Sequence, residues 1–132
     1  MRYLLDTHII LWGLVGSECL SKEVRDILID PKNEIYYSTA STWEIEIKHL
    51  KKKEFKLSSE QFAFLCDQNG LLNIQINNKH IAELKNINIT NDTKHNDPFD
   101  KLLLAQAISE NLTFITHDRK FANYSNYNIL LI

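Results

Sequence analysis

Apolar and polar positions along this chain follow two rhythms, one of period two and one of about three and a half, and they alternate. Arg2 to Leu5 is a short apolar strand ending at Asp6, and Thr7 to Val15 continues as an apolar helix that Gly16 and Ser17 break. Ser21 is placed to cap a helix running to about Ile29; Asp30, Pro31, Lys32 and Asn33 make a turn, and Ile35 to Ser38 has strand character. Ser41 reads as the opening of a third helix that reaches about Lys51. A fourth is predicted from Ser58 or Ser59 to Asn69, with Gly70 as its stop, followed by a strand over Leu71 to Ile76 and a short helical segment around His80 to Leu84. Lys85 to Asn96 is polar, rich in asparagine and reads as a connecting loop. Pro98 begins the clearest helix, which runs to about Asn111; Leu112 to Thr116 is a strand, Asp118 to Ala122 a helical turn, and Asn128 to Leu131 a last strand.

Strands alternating with helices predict an α/β fold of three layers, with a central, mostly parallel sheet covered on both faces and ligands gathered at the carboxyl ends of its strands. At 132 residues the chain fits one domain over 1–132, and 44% hydrophobic residues with a net charge of -2 exclude disorder. Asp6 and His8 interrupt the N-terminal apolar stretch, and no run approaches the ~18 apolar residues of a membrane span. A soluble, cytoplasmic protein without membrane contact is expected. Cys19 and Cys66 have no metal-ligand spacing around them and are expected to be buried, reduced thiols.

The acids carry the chemistry. Asp6 stands between a strand and a helix, where its carboxylate enters the crevice above the sheet or simply caps the helix. Glu44 follows Ser41 by three residues, which is equally the spacing of a capping box. Glu46 faces elsewhere on that helix. In Asp97-Pro98-Phe99-Asp100, capping accounts for Asp97, whereas Asp100 shares the core-facing stripe with Leu103, Leu104 and Ala107. A carboxylate on that stripe is costly unless a cation compensates it. Asp118 follows the strand ending at Thr116, again at a strand-to-helix junction, and a first-turn helix acid is the plain alternative. In a parallel sheet these junctions open on one edge, and carboxylates crowded there need a cation among them. Oxygen-only ligation selects Mg²⁺ or Mn²⁺ rather than zinc.

A pI near 6.2 is low for a nucleic-acid binder, yet neutralising four acids on a metal leaves the remaining surface slightly basic. Lys48, His49, Lys51, Lys52, Lys53 and Lys56 form a local basic run that either meets a phosphate backbone or is a solvated helix end.

Four blocks now resemble a known family. Leu4-Leu5-Asp6-Thr7-His8, Ser41-Thr42-Trp43-Glu44-Ile45, the stretch from His95 through Asp97-Pro98-Phe99-Asp100 to Ala107, and Thr116-His117-Asp118 are similar, in this order, to the PIN-domain ribonucleases, especially the VapC-like toxins of toxin-antitoxin pairs. The resemblance implies a metal site of Asp6, Glu44, Asp100 and Asp118, with Asp97 beside it and Thr7 and Thr116 in support. It also implies RNA as substrate, a homodimer, and a small antitoxin whose tail covers the groove. Lys101 departs from the family's usual arginine, and Asn73 to Lys94 matches poorly.

Such a site hydrolyses the phosphodiester by in-line attack of a metal-activated water, leaving a 5'-phosphate and a 3'-hydroxyl, and requires no side-chain base. His8, His49, His80, His95 and His117 are scattered, and spacing alone does not exclude histidine catalysis; His95 and His117, beside Asp97 and Asp118, are the first to test. Trp12 and Trp43 lie beside Asp6 and Glu44, where they pack in the core or stack a base. Ile9, Ile10, Leu11 and Leu14 offer more apolar surface than one helix face buries, which points to a subunit or antitoxin contact. A phosphoacceptor domain fits less well, because one aspartate rather than a pair ends the first strand and no lysine follows the last; a phosphatase of the Asp-x-Asp type lacks its second acid. A silent PIN scaffold usually loses one of the four acids, and here all four are present.

Overall fold

A computed structural model describes residues 1–87, 97–124 and 127–132. Five strands, β1 (Arg2–Leu5), β2 (Glu34–Ser38), β3 (Leu72–Ile74), β4 (Thr113–Thr116) and β5 (Ile129–Leu131), form a wholly parallel sheet in the order β3-β2-β1-β4-β5. The helices are α1 (Thr7–Val15), α2 (Lys22–Ile29), α3 (Thr39–Lys51), α4 (Ser59–Gln68), α5 (Asn78–Glu83) and α6 (Pro98–Glu110). Short 3-10 turns follow at Leu84–Asn86 and Arg119–Asn123. The chain winds outward from β1 through β2 to β3, then returns to β4 on the other side of β1. Adjacent strands β1 and β4 therefore flank the switch point, where a parallel sheet opens a crevice at its carboxyl ends.

The period-two pattern assigns the faces. Tyr3, Leu5, Ile35, Tyr37 and Ile115 point into one core with Ile9, Ile10, Val24, Ile45 and Phe62 from α1 to α4. Leu4 and Phe114 point into the other, with Leu103, Leu104 and Ala107 of α6 and Phe121. Continuing the alternation past the apolar residues reaches Asp6, Ser38 and Thr116, all buried. Three neighbouring strands thus end in polar side chains at the α6 edge of the sheet.

Most predicted elements form close to their predicted bounds, and two differ instructively. α3 opens at Thr39 with Ser38 as its cap, so Ser41 lies inside the helix and the capping box with Glu44 does not exist. β3 covers only Leu72–Ile74 of the strand predicted over Leu71 to Ile76. Ser21 caps α2, and Ser58 with Gln61 makes a capping box on α4. Asn111 ends α6 with φ 56°, a left-handed conformation that asparagine tolerates. The loop predicted over Lys85 to Asn96 lies largely outside the described residues. Cys66 is buried and free, but Cys19 is free and exposed, because it sits on the turn between α1 and α2 rather than beneath it. Among the described residues no helix is long and apolar enough to cross a membrane.

One buried polar chain binds α3, α5 and α6 together. Ser38 Oγ accepts from the Ala40 N–H at 2.9 Å and donates to Gln106 Oε1. Gln106 Nε2 donates to the Gln75 carbonyl at 3.4 Å and lies 3.3 Å from Nδ1 of the buried His80. The Asn77 N–H also meets that Nδ1, at 3.3 Å, so Nδ1 accepts and the other ring nitrogen carries the hydrogen toward Glu110, 2.8 Å away. Replacing Gln106 by methionine keeps the volume but strands the Ser38 hydroxyl and the Gln75 carbonyl. Gln106→Met is expected to lower unfolding stability by about 2–4 kcal/mol in urea denaturation; a loss below about 0.5 kcal/mol would show that the chain is not a structural tie.

Candidate active site

Local chain chemistry places each acid. Asp6 leaves β1 with φ -64° and ψ 153°, so it caps α1, and the Thr7 N–H donates to its Oδ1 at 2.7 Å. Asp97 caps α6 by accepting from the Phe99 N–H at 2.9 Å, ahead of the proline that suits a first helical turn. Asp118 caps the 3-10 turn after β4, accepting from the Lys120 N–H at 3.0 Å. The capping role and the approach to one cavity are therefore not alternatives for these three residues. A single carboxylate does both, since the helix start it caps stands on the rim of the crevice.

Hydroxyls hold the acids from behind. Thr116 Oγ1 accepts from the Asp118 N–H at 3.1 Å and donates to Asp6 Oδ2 at 2.6 Å. Thr7 Oγ1 donates to Glu44 Oε1 at 2.7 Å; its one hydrogen being used there, the Ser41 hydroxyl 2.8 Å away donates to it. Ser41, read from sequence as a cap, is instead the buried support of Thr7. On its other side Glu44 faces Lys48 Nζ at 3.9 Å, one turn along α3.

Asp6, Glu44, Asp97, Asp100 and Asp118 line one cavity of about 390 Å³, together with His8, Trp12, His117 and Lys120. Burial pushes the Asp100 carboxyl up to about 8, and the charges of Asp6, Asp97, Asp118 and Glu44 push in the same direction. Asp6 is also raised, chiefly by burial, against the hydrogen bonds from Thr116 and Thr7. The carboxylates share the space without closing into a cage. Among the described residues no three His, Cys, Asp or Glu side chains stand close enough to hold an ion as they are. Like charges at short range favour such spreading.

The other residues weighed from sequence fall outside the cavity or outside the described residues. Glu46 accepts from the Ser59 N–H at 3.1 Å and steadies the start of α4. His49 bonds the Phe55 carbonyl and His80 belongs to the buried chain. His95 lies outside the described residues. Lys120 was not anticipated; its only signal in the sequence was its place two residues after Asp118. It forms no salt bridge among the described residues, where the one ion pair to an acid of the cavity is that of Lys48 with Glu44.

These charges fix a pH dependence. A carboxyl whose pKa is raised on folding favours the folded state at low pH, and that advantage is lost as pH rises through its folded value. In EDTA, thermal unfolding is therefore expected to move to lower temperature between about pH 5 and pH 8.5, the range in which Asp100 ionises at about 8. Asp100→Asn should flatten that slope and match or exceed the native melting temperature at pH 8.5. A marked fall in melting temperature in the variant would make Asp100 a structural residue.

Comparison with known proteins agrees with this architecture. No curated protein matches the sequence. Among solved structures, the chain is similar to a chain of VapBC2 from Rickettsia felis, bound to a DNA fragment from its promoter, with 20% identity, a TM-score of 0.73 and coverage of 99% of this chain and 98% of that one. VapBC-1 from nontypeable Haemophilus influenzae gives 17% identity and a TM-score of 0.72 over 99% and 98% of the two chains. VapBC-5 from Mycobacterium tuberculosis, a toxin-antitoxin system, gives 14% and 0.62 over 99% and 97%. These likenesses concern the fold. Residues 3–127 match the family model of the PIN domain, nearly the whole length, and the chain belongs to that family.

Proposed function

We propose that this chain is a metal-dependent endoribonuclease, the toxin component of a VapBC-type pair. The observation that carries the reading is the meeting of Asp6, Glu44, Asp100 and Asp118, with Asp97, in one cavity at the switch point of the sheet. The donor set fits a hard divalent ion. All its ligand atoms are carboxylate oxygens; burial first and their mutual repulsion second raise Asp100, and a dication relieves both. Asp6, Glu44, Asp100 and Asp118 would hold Mg²⁺ or Mn²⁺, which when bound supplies the Lewis acid and the activated water for phosphodiester hydrolysis.

The chain's own groups do the positioning. Thr116 and the Thr7 N–H hold both oxygens of Asp6 in fixed orientation, and Thr7 with Ser41 behind it aims Glu44. Asp97 sets the first turn of α6 and thereby the direction of Asp100. Lys120 on the rim, and Lys48 once its carboxylate turns to a metal, are cations within reach of an RNA phosphate.

A partner surface is part of the same reading. α1, apolar nearly all round, borders a groove of about 450 Å³ lined by Ile9, Ile10, Gly13, Leu14, Leu20 and Leu28, with Val15 and Ile29 exposed beside it. An apolar segment of the antitoxin packs there, and the toxin pairs with a second copy of itself. Co-expression with a short neighbouring reading frame is expected to give a co-purifying complex that Leu14→Lys dissociates, without loss of RNA cleavage by the toxin alone. A complex insensitive to Leu14→Lys would remove this groove from the contact.

RNA cleavage itself is the decisive assay. With Mg²⁺ or Mn²⁺ the native protein should cut RNA and EDTA should stop it. Thr116→Val, which removes the hydroxyl's bonds to Asp6 and to the Asp118 N–H, is expected to cost roughly 10–100-fold in activity, and Asp6→Asn more. Cleavage that survives both EDTA and Asp6→Asn would sink the metal reading, and RNA binding with no cleavage under any metal would make the chain a scaffold.

A further inference from the structure

The cavity has two chemically different walls, and the carboxylates account for only one. We propose that Trp12, between His8 and His117, seats a nucleobase of the RNA strand beside the scissile phosphate. This rests on the ribonuclease reading and adds a binding subsite to it.

Trp12 projects from α1 one turn beyond His8, so both face the cavity that Asp6 opens at the start of that helix. Its ring lies 6.3 Å from His8, inclined at 57°, and 5.2 Å from His117, edge to face at 68°. Core packing explains part of Trp12, which is half-buried against the apolar cluster of α1 to α4. It does not explain the two exposed imidazoles that flank it. Nor does it explain the indole N–H, which donates to no group among the described residues and suits a base or phosphate acceptor.

His117 is held in place. Its Nδ1 lies 2.6 Å from the Ile132 carbonyl oxygen and must donate to it; Arg119 donates to the same oxygen at 2.9 Å, and the Ile132 N–H bonds back to Thr116 at 3.0 Å. With Nδ1 committed, Nε2 is left to the edge of a base. The electrostatics agree. Acids repel the RNA backbone wherever no cation screens them, whereas an aromatic wall accepts the π-face of a base without charge and without strong sequence preference. Trp43 has no such place: although 55% exposed, it packs edge to face on Phe99 at 4.8 Å and does not line the cavity.

The test uses the two tryptophans of the chain. In Trp43→Phe combined with Asp6→Asn, emission comes from Trp12 alone and RNA is not consumed. With Mg²⁺ present, a single-stranded oligoribonucleotide should quench that emission, and an abasic ribose-phosphate oligomer of the same length should not. In the otherwise native protein, Trp12→Leu keeps the apolar packing but removes the π-face. It is expected to lower kcat/KM on RNA roughly 5- to 100-fold, mainly through KM, and Trp12→Phe to restore most of it. Equal quenching by both oligomers, no quenching by RNA, or native kcat/KM in a folded Trp12→Leu would each overturn the subsite. If Trp12→Leu does not fold, the quenching comparison and Trp12→Phe still decide. Failure of the native protein to cut RNA with any divalent metal would instead overturn the ribonuclease reading.

Discussion

Mutual repulsion among carboxylates, set against their burial at the end of a parallel sheet, is the constraint around which the rest of the molecule is arranged. Asp6 is almost wholly buried and Asp100 is pushed up to about 8, so the pocket resists carrying its full negative charge. Folding tolerates this because three of the acids also perform a local task and two are held by hydroxyls. Asp6, Asp97 and Asp118 cap helical turns, and Thr7 and Thr116 donate hydroxyls to Glu44 and Asp6. The structure thus holds in place a charge cluster that by itself would spread apart.

The scaffold explains why the cluster falls where it does. Strand alternation sends Leu4, Tyr36 and Phe114 toward α6, and two residues further along each chain segment Asp6, Ser38 and Thr116 fall on that side. Ser38 grips α6 through Gln106, while Asp6 and Thr116 grip each other. The Ser38–Gln106–His80 chain therefore fixes α3, which carries Glu44, against α6, which carries Asp100. The positions of the cavity acids are set by buried hydrogen bonds as well as by the apolar cores, whose packing is less directional.

α1 separates two kinds of surface. Ile9, Ile10, Gly13 and Leu14 border an apolar groove, whereas His8 and Trp12 border the acid cavity. Because one short helix forms a wall of both, a partner seated in the groove lies one helix width from the acid cavity. That proximity gives a physical route by which a partner in the groove can act on the acid cavity without entering it.

Much of this was legible in the sequence, because caps, turns and period-two runs are decided within a few residues. Asp97-Pro98, Ser58 with Gln61, and the strand-to-helix junctions at Asp6 and Asp118 formed as their local chemistry dictates. The same local rules failed at Ser41. A serine three residues before a glutamate satisfies the capping pattern, but Ser38 had already capped the helix and Ser41 was drawn to Thr7 of another helix. Lys120 and the His8–Trp12–His117 group were likewise brought to one cavity by elements remote in the chain. The sequence alone settled where most of the elements begin and end, since those energies act within a turn or two of backbone; which side chains share a cavity was decided only by strand order and by buried hydrogen bonds between elements, which no local pattern encodes.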